Sequence, residues 1–77
     1  MKPRILIVDD EVRMRRLFEI NLSPKYEVLT SGGGEDALET VKAGDVNLLI
    51  TDLKMPGMDG MSLLQEVHRT YPDLPII

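Results

Sequence analysis

Three aspartates stand where apolar runs end. Asp9 and Asp10 follow Ile5-Leu6-Ile7-Val8, and Asp52 follows Leu48-Leu49-Ile50-Thr51. Short, β-prone apolar runs read as strands buried on both faces, as in a parallel sheet covered by helices. The carboxylates therefore mark C-terminal strand ends, the edge at which open α/β sheets bind ligands. If the two strands are parallel neighbours, the three carboxylates converge in one cleft and repel. A hard divalent cation removes that repulsion. Magnesium takes oxygen ligands in octahedral geometry, using one or two carboxylates, waters and a substrate phosphate. With no cysteine and a single histidine, the chain suits such a metal better than zinc. A carboxylate beside the metal can also attack a phosphoryl group and form an acyl phosphate, with catalysis supplied by positioning and charge neutralisation. Asp52 is the best candidate, because it stands alone at its strand end before an open loop.

A plainer account makes Asp9, Asp10 and Glu11 helix caps or partners of a helix dipole. It explains one acid at a helix start. It explains less well two adjacent acids joined by a third from another strand. Asp52 is separated from the next helix by Pro56, Gly57 and Gly60, so Asp59 is the better cap there.

The elements that must position these acids follow in order. After strand one, Met14, Leu17, Phe18 and Leu22 recur at spacings of three and four among Arg13, Arg15, Arg16 and Glu19, which predicts an amphipathic helix ended by Ser23-Pro24-Lys25. Tyr26 to Thr30 reads as a second, less apolar strand near a sheet edge. Ser31-Gly32-Gly33-Gly34 reads as a turn. Glu35 to Lys42 is a short helix with Ala37, Leu38 and Val41 on one face, closed by Gly44. Leu48 to Thr51 is strand three, and Met61 to Tyr71 has helical spacing. Tyr71-Pro72-Asp73-Leu74-Pro75 is a turn, and Ile76-Ile77 begins a fourth apolar strand. The β-α-β-α-β-α-β pattern predicts a parallel α/β sheet with right-handed crossovers. Because the sequence stops at the start of a buried strand, the expectation is the front part of a longer domain.

Seventy-seven residues suffice for one small domain, with 43% hydrophobic and 29% charged residues. A net charge of −4 argues against a nucleic-acid or acidic-membrane surface. The basic start, Met1 to Arg4, leads into an apolar run too short for a signal peptide or a membrane span, so a cytoplasmic location is expected.

Val8-Asp9-Asp10-Glu11 and Thr51-Asp52-Leu53-Lys54-Met55-Pro56-Gly57-Met58-Asp59-Gly60 together resemble the response-regulator receiver domain of two-component signalling. The likeness runs through the whole chain, as residues 1–77 of a receiver incomplete at its C-terminus. It implies a flavodoxin-like, doubly wound parallel sheet in truncated form, with the 2-1-3-4-5 strand order that general accounts give for a receiver of this family. It implies that Asp52 is the phosphoacceptor. Asp10 would bind magnesium directly and Asp9 directly or through water, with the backbone carbonyl of Lys54 as a further ligand. The donor would be the phosphohistidine of a sensor histidine kinase, and the receiver would switch an output domain or downstream protein. Tyr71 to Ile77 resembles receivers joined to sigma-54-dependent ATPases. Receivers also use a Ser or Thr after strand four and a Lys after strand five, and the sequence ends before both. Poor phosphoryl labelling of the 77-residue form is therefore expected.

Two other classes compete. An aspartyl-phosphate phosphohydrolase usually shows Asp-x-Asp after a strand, which Asp52-Leu53-Lys54 does not supply. A half-domain acting only as an assembly scaffold would fit the early stop. An unpaired strand edge and uncovered apolar faces also lead to the expectation of a homo-oligomer. Gly32-Gly33-Gly34 could cradle an anion but reads as a plain turn. His68 reads as a surface or boundary residue, and Met55, Met58 and Met61 as core filling rather than a soft binding surface.

Overall fold

The computed structural model describes residues 2–51 and 60–77. Three strands and three helices alternate: β1 (Arg4–Val8), α1 (Val12–Leu22), β2 (Glu27–Ser31), α2 (Gly34–Lys42), β3 (Leu48–Thr51) and α3 (Gly60–Thr70). The sheet is parallel, in the order β2-β1-β3. The chain steps from β1 outward to β2, then back across β1 to β3. Right-handed crossovers in opposite directions put α1 on one face and α2 on the other.

The central place of β1 explains its composition. Ile5, Leu6, Ile7 and Val8 are all buried, as a strand covered on both faces must be. Side chains alternate along a strand, so Leu6 and Val8 share a face. With Leu49 they pack into one cluster with Ala37 and Val41 of α2 and Leu63 and Val67 of α3. Beyond β3, Ile76 bridges Leu49 in parallel, with the Ile77 N–H donating to the Leu49 carbonyl at 2.9 Å. The fourth apolar segment thus pairs where the 2-1-3-4 order requires.

Element ends differ from the sequence expectation by a residue or so. Strand two begins at Glu27 rather than Tyr26 and runs on to Ser31, because the Tyr26 N–H is still tied to Leu22 at the end of α1, at 2.9 Å. Helix two begins at Gly34. Gly44 has φ +96, the left-handed conformation that ends a helix and favours glycine.

One expectation needs correction, that of Met61 as core filling. Helix α1 forms as expected; none of its residues is fully buried, Phe18 and Leu22 are half-buried, and Met14 and Leu17 are exposed. Helix α1 packs against β2 and β1, whereas α2 and α3 pack against each other on the opposite face. Against β1 and β2 it buries a narrower strip than its spacing offers. Met61 is also exposed, in the first turn of α3, so it does not fill the core. Met55 and Met58 lie outside the described residues. His68 is exposed, as expected.

Candidate functional site

The strand ends are level. Val8 pairs with Ser31 on one side and with Thr51 on the other, so all three strands stop at the same height. The Asp9 N–H extends the ladder one step by donating to the Ser31 carbonyl at 3.1 Å. From that point the chain turns sharply. The Glu11 N–H donates to Asp9 Oδ1 at 2.9 Å, closing an Asx-type turn. The Asp9 carbonyl accepts a bond from Arg15 Nη1 at 2.7 Å.

Capping does not account for all of these acids. The N-cap residue of α1 is Glu11, whose side chain makes no capping bond, and the first turn contains no acid. Asp9 is half-buried and braces the turn before the helix. The Asp10 carboxylate is exposed, with no hydrogen bond or ion pair to any described residue. Asp52 and Lys54, the other expected contributors, lie outside the described residues, as does Asp59. Among the described residues no group of three or more His, Cys, Asp or Glu side chains gathers. The donors that are described suit a hard cation: one Asp9 oxygen is engaged by an N–H, and the Asp10 carboxylate has no competing partner among the described residues.

Beside the acids stands a second loop that sequence reasoning missed. Ser31 is buried, and its hydroxyl lies 2.8 Å from Asp36 Oδ2 and 2.9 Å from the Gly33 carbonyl. One hydroxyl hydrogen serves one of these acceptors at a time. The same oxygen accepts the Gly33 N–H at 3.4 Å. The glycine-rich segment is thus held as a turn, as expected. The Ser31–Asp36 spacing, a hydroxyl at a strand end and an acid in the first turn of the next helix, was the available signal. Arg15 offered none, since Arg13, Arg15 and Arg16 look alike on a polar face.

A surface depression of about 610 Å³ lies at the opposite edge, where the strands begin, lined by Lys2, Pro3, Arg4, Glu27, Asp45 and Asn47. Arg4 Nε donates to Glu27 Oε2 there at 3.1 Å, an exposed pair of small energetic weight.

The profile of the response regulator receiver domain matches residues 5–77. The chain belongs to that family. Its relatives include a probable transcriptional regulator, ycf27, of Cyanophora paradoxa, 44% identical over 77 residues, covering 99% of this chain and 32% of the relative. Another is the transcriptional regulatory protein GlrR of Escherichia coli, 35% identical over 74 residues, covering 95% of this chain and 17% of the relative. The chain therefore spans about a third or less of the length of these relatives. Among solved structures, the response regulator TrrA of Thermotoga maritima in complex with Mg2+–BeF is similar at a TM-score of 0.92 and 39% identity, covering 99% of this chain and 66% of that one. TrrA in complex with the histidine kinase ThkA is similar at a TM-score of 0.91. The receiver fold, a flavodoxin-like parallel α/β sheet, is thus shared, and the chain is a receiver of two-component signalling. Among the described residues no helix is long and apolar enough to cross a membrane.

Proposed function

We propose that this receiver, spanning residues 1–77 of the sequence, accepts a phosphoryl group on Asp52 from a sensor histidine kinase in the cytoplasm. It then switches an output domain, of a transcriptional type. The observation that carries this reading is the level ending of β1 and β3 at Val8 and Thr51, with the Asp10 carboxylate unpartnered among the described residues beside it. Asp52 is the next residue after Thr51 in sequence. The proposed magnesium ligands are the carboxylates of Asp9, Asp10 and Asp52 and the backbone carbonyl of Lys54. When bound, magnesium supplies neutralisation of the phosphoryl oxygens. An Asp52 oxygen attacks phosphorus, the phosphorus–nitrogen bond to the donor imidazole breaks, and its electron pair stays on the ring. The product is an acyl phosphate on Asp52. Two resemblances support the reading: TrrA is known with Mg2+–BeF and with a histidine kinase. The transcriptional output rests on the names of the longer relatives. A net charge of −4 argues against direct nucleic-acid binding by this segment.

The test is treatment with acetyl phosphate and magnesium, followed by mass-spectrometric mapping. Phosphoryl label, of low yield in the 77-residue form and higher in the longer parent domain, is expected on Asp52 alone, abolished by Asp52→Asn and strongly reduced by Asp10→Asn. Label on another residue, or undiminished label in Asp52→Asn, overturns the assignment.

A further inference from the structure

Arg15 lies between the two loops at the C-terminal strand edge. Its Nη1 donates to the Asp9 carbonyl at 2.7 Å, in a part-buried setting. Its guanidinium also lies over the backbone of the β2–α2 loop: a Cβ placed on Gly32 would sit 2.6 Å from Nη1 and 3.6 Å from Cζ. Gly32 does not have a positive φ, so its backbone conformation does not demand glycine. The space does. The two loops are already joined by the Asp9 N–H on the Ser31 carbonyl at 3.1 Å. Arg15 adds a bond to the Asp9 carbonyl from the helix side.

The anchored oxygen belongs to the peptide plane that joins Asp9 to Asp10. Fixing that plane fixes the direction in which Asp10 leaves the strand, and the Glu11 N–H on Asp9 Oδ1 fixes the Asp9 carboxylate. A guanidinium suits this post because its planar fork can donate to the carbonyl while its Nη1 end reaches toward Gly32; an ammonium is a point charge.

We propose that Arg15 is the positioning residue of the Asp9–Asp10 loop, and that Gly32 is glycine because the Arg15 guanidinium occupies the place of its side chain. The consequence for magnesium rests on the function proposed above; the clasp itself does not. Arg15 touches no reacting atom in this scheme and acts by orienting the acids.

The test uses Arg15→Gln, Arg15→Lys, Gly32→Ala and the Arg15→Gln/Gly32→Ala double variant, followed by amide NMR with and without magnesium. The Asp10 N–H shares the peptide plane of the Asp9 carbonyl, so its shifts report the Arg15 bond directly in metal-free protein. Arg15→Gln and Gly32→Ala are expected to move the Asp10 cross-peak alike. The double variant should add nothing further, because both changes break one contact. Magnesium affinity should fall about tenfold in each, the lower end of the effect of removing an outer-shell partner. Arg15→Lys should restore part of the affinity, which a merely structural loss would not predict. An unmoved Asp10 amide in Arg15→Gln, or additive effects in the double variant, overturns the clasp. Absence of magnesium shifts in the unaltered protein overturns the metal reading instead and leaves the amide result to decide the clasp.

Discussion

Leu63→Ala and Leu17→Ala are the same chemical change at two helix positions, and the fold predicts very different costs. Both sites gain the same small helix propensity from alanine, so the difference isolates burial. Leu63 is 0% exposed, within the cluster of Leu6, Val8, Ala37, Val41, Leu49 and Val67. Its truncation loses transfer energy and leaves a cavity, at a cost of about 2–5 kcal/mol. Leu17 is 54% exposed on α1. Full burial of such a side chain is worth about 1.5–3 kcal/mol, so just under half of that, roughly 1 kcal/mol, is at stake, and water fills the space it leaves. A chain of this length has a total stability of roughly 4–12 kcal/mol. Leu63→Ala therefore removes a large fraction of it, and its melting temperature should fall by at least about 10 °C. Urea unfolding at low protein concentration measures both variants. Equal costs for the two would refute the reasoning, since Leu17 would then be buried in solution by something the fold itself does not supply.

Two further outcomes follow from the same structure. Ser31→Ala should cost about 1 kcal/mol in urea unfolding, one net hydrogen bond, because the exposed Asp36 carboxylate it leaves can be rehydrated; no measurable loss would count against the Ser31–Asp36 tie. Val12, Leu17, Ile20 and Ile77 are all more than half exposed, so self-association that increases with concentration is expected by light scattering, and a monomer throughout the series would refute it.

Periodicity and end signals made the elements legible. Four consecutive apolar residues marked β1 as buried on both faces, and the weaker pattern of residues 26–30 placed β2 near an edge, as the burial of β1 and the order β2-β1-β3 bear out. Leu48 to Thr51 is β3 without revision, and Gly44 ends α2 with the positive φ its position called for. These features are local: they depend on the spacing of apolar residues and on backbone freedom, which a sequence displays. Asp9 and Asp10 could likewise be assigned to a strand end, since Val8 ends its run in any parallel arrangement.

Burial depends on what lies opposite, and spacing is silent about that. Helix α1 carries a regular apolar stripe, yet Leu17 is exposed, since among the described elements the helix packs mainly against β1 and β2. The roles of Ser31 and Arg15 were hidden for the same reason. Ser31 matters because the turn brings Asp36 to within 2.8 Å. Arg15 stands out from Arg13 and Arg16 only because the twist of α1 brings it over Gly32 and the Asp9 carbonyl. The sequence determined which residues are strand, helix and turn, and which acids follow a strand. The tertiary structure alone decided which arginine turns inward, that its guanidinium lies beside Gly32, and that the strands beneath the acids end level, because each of these is a distance between segments apart in the chain.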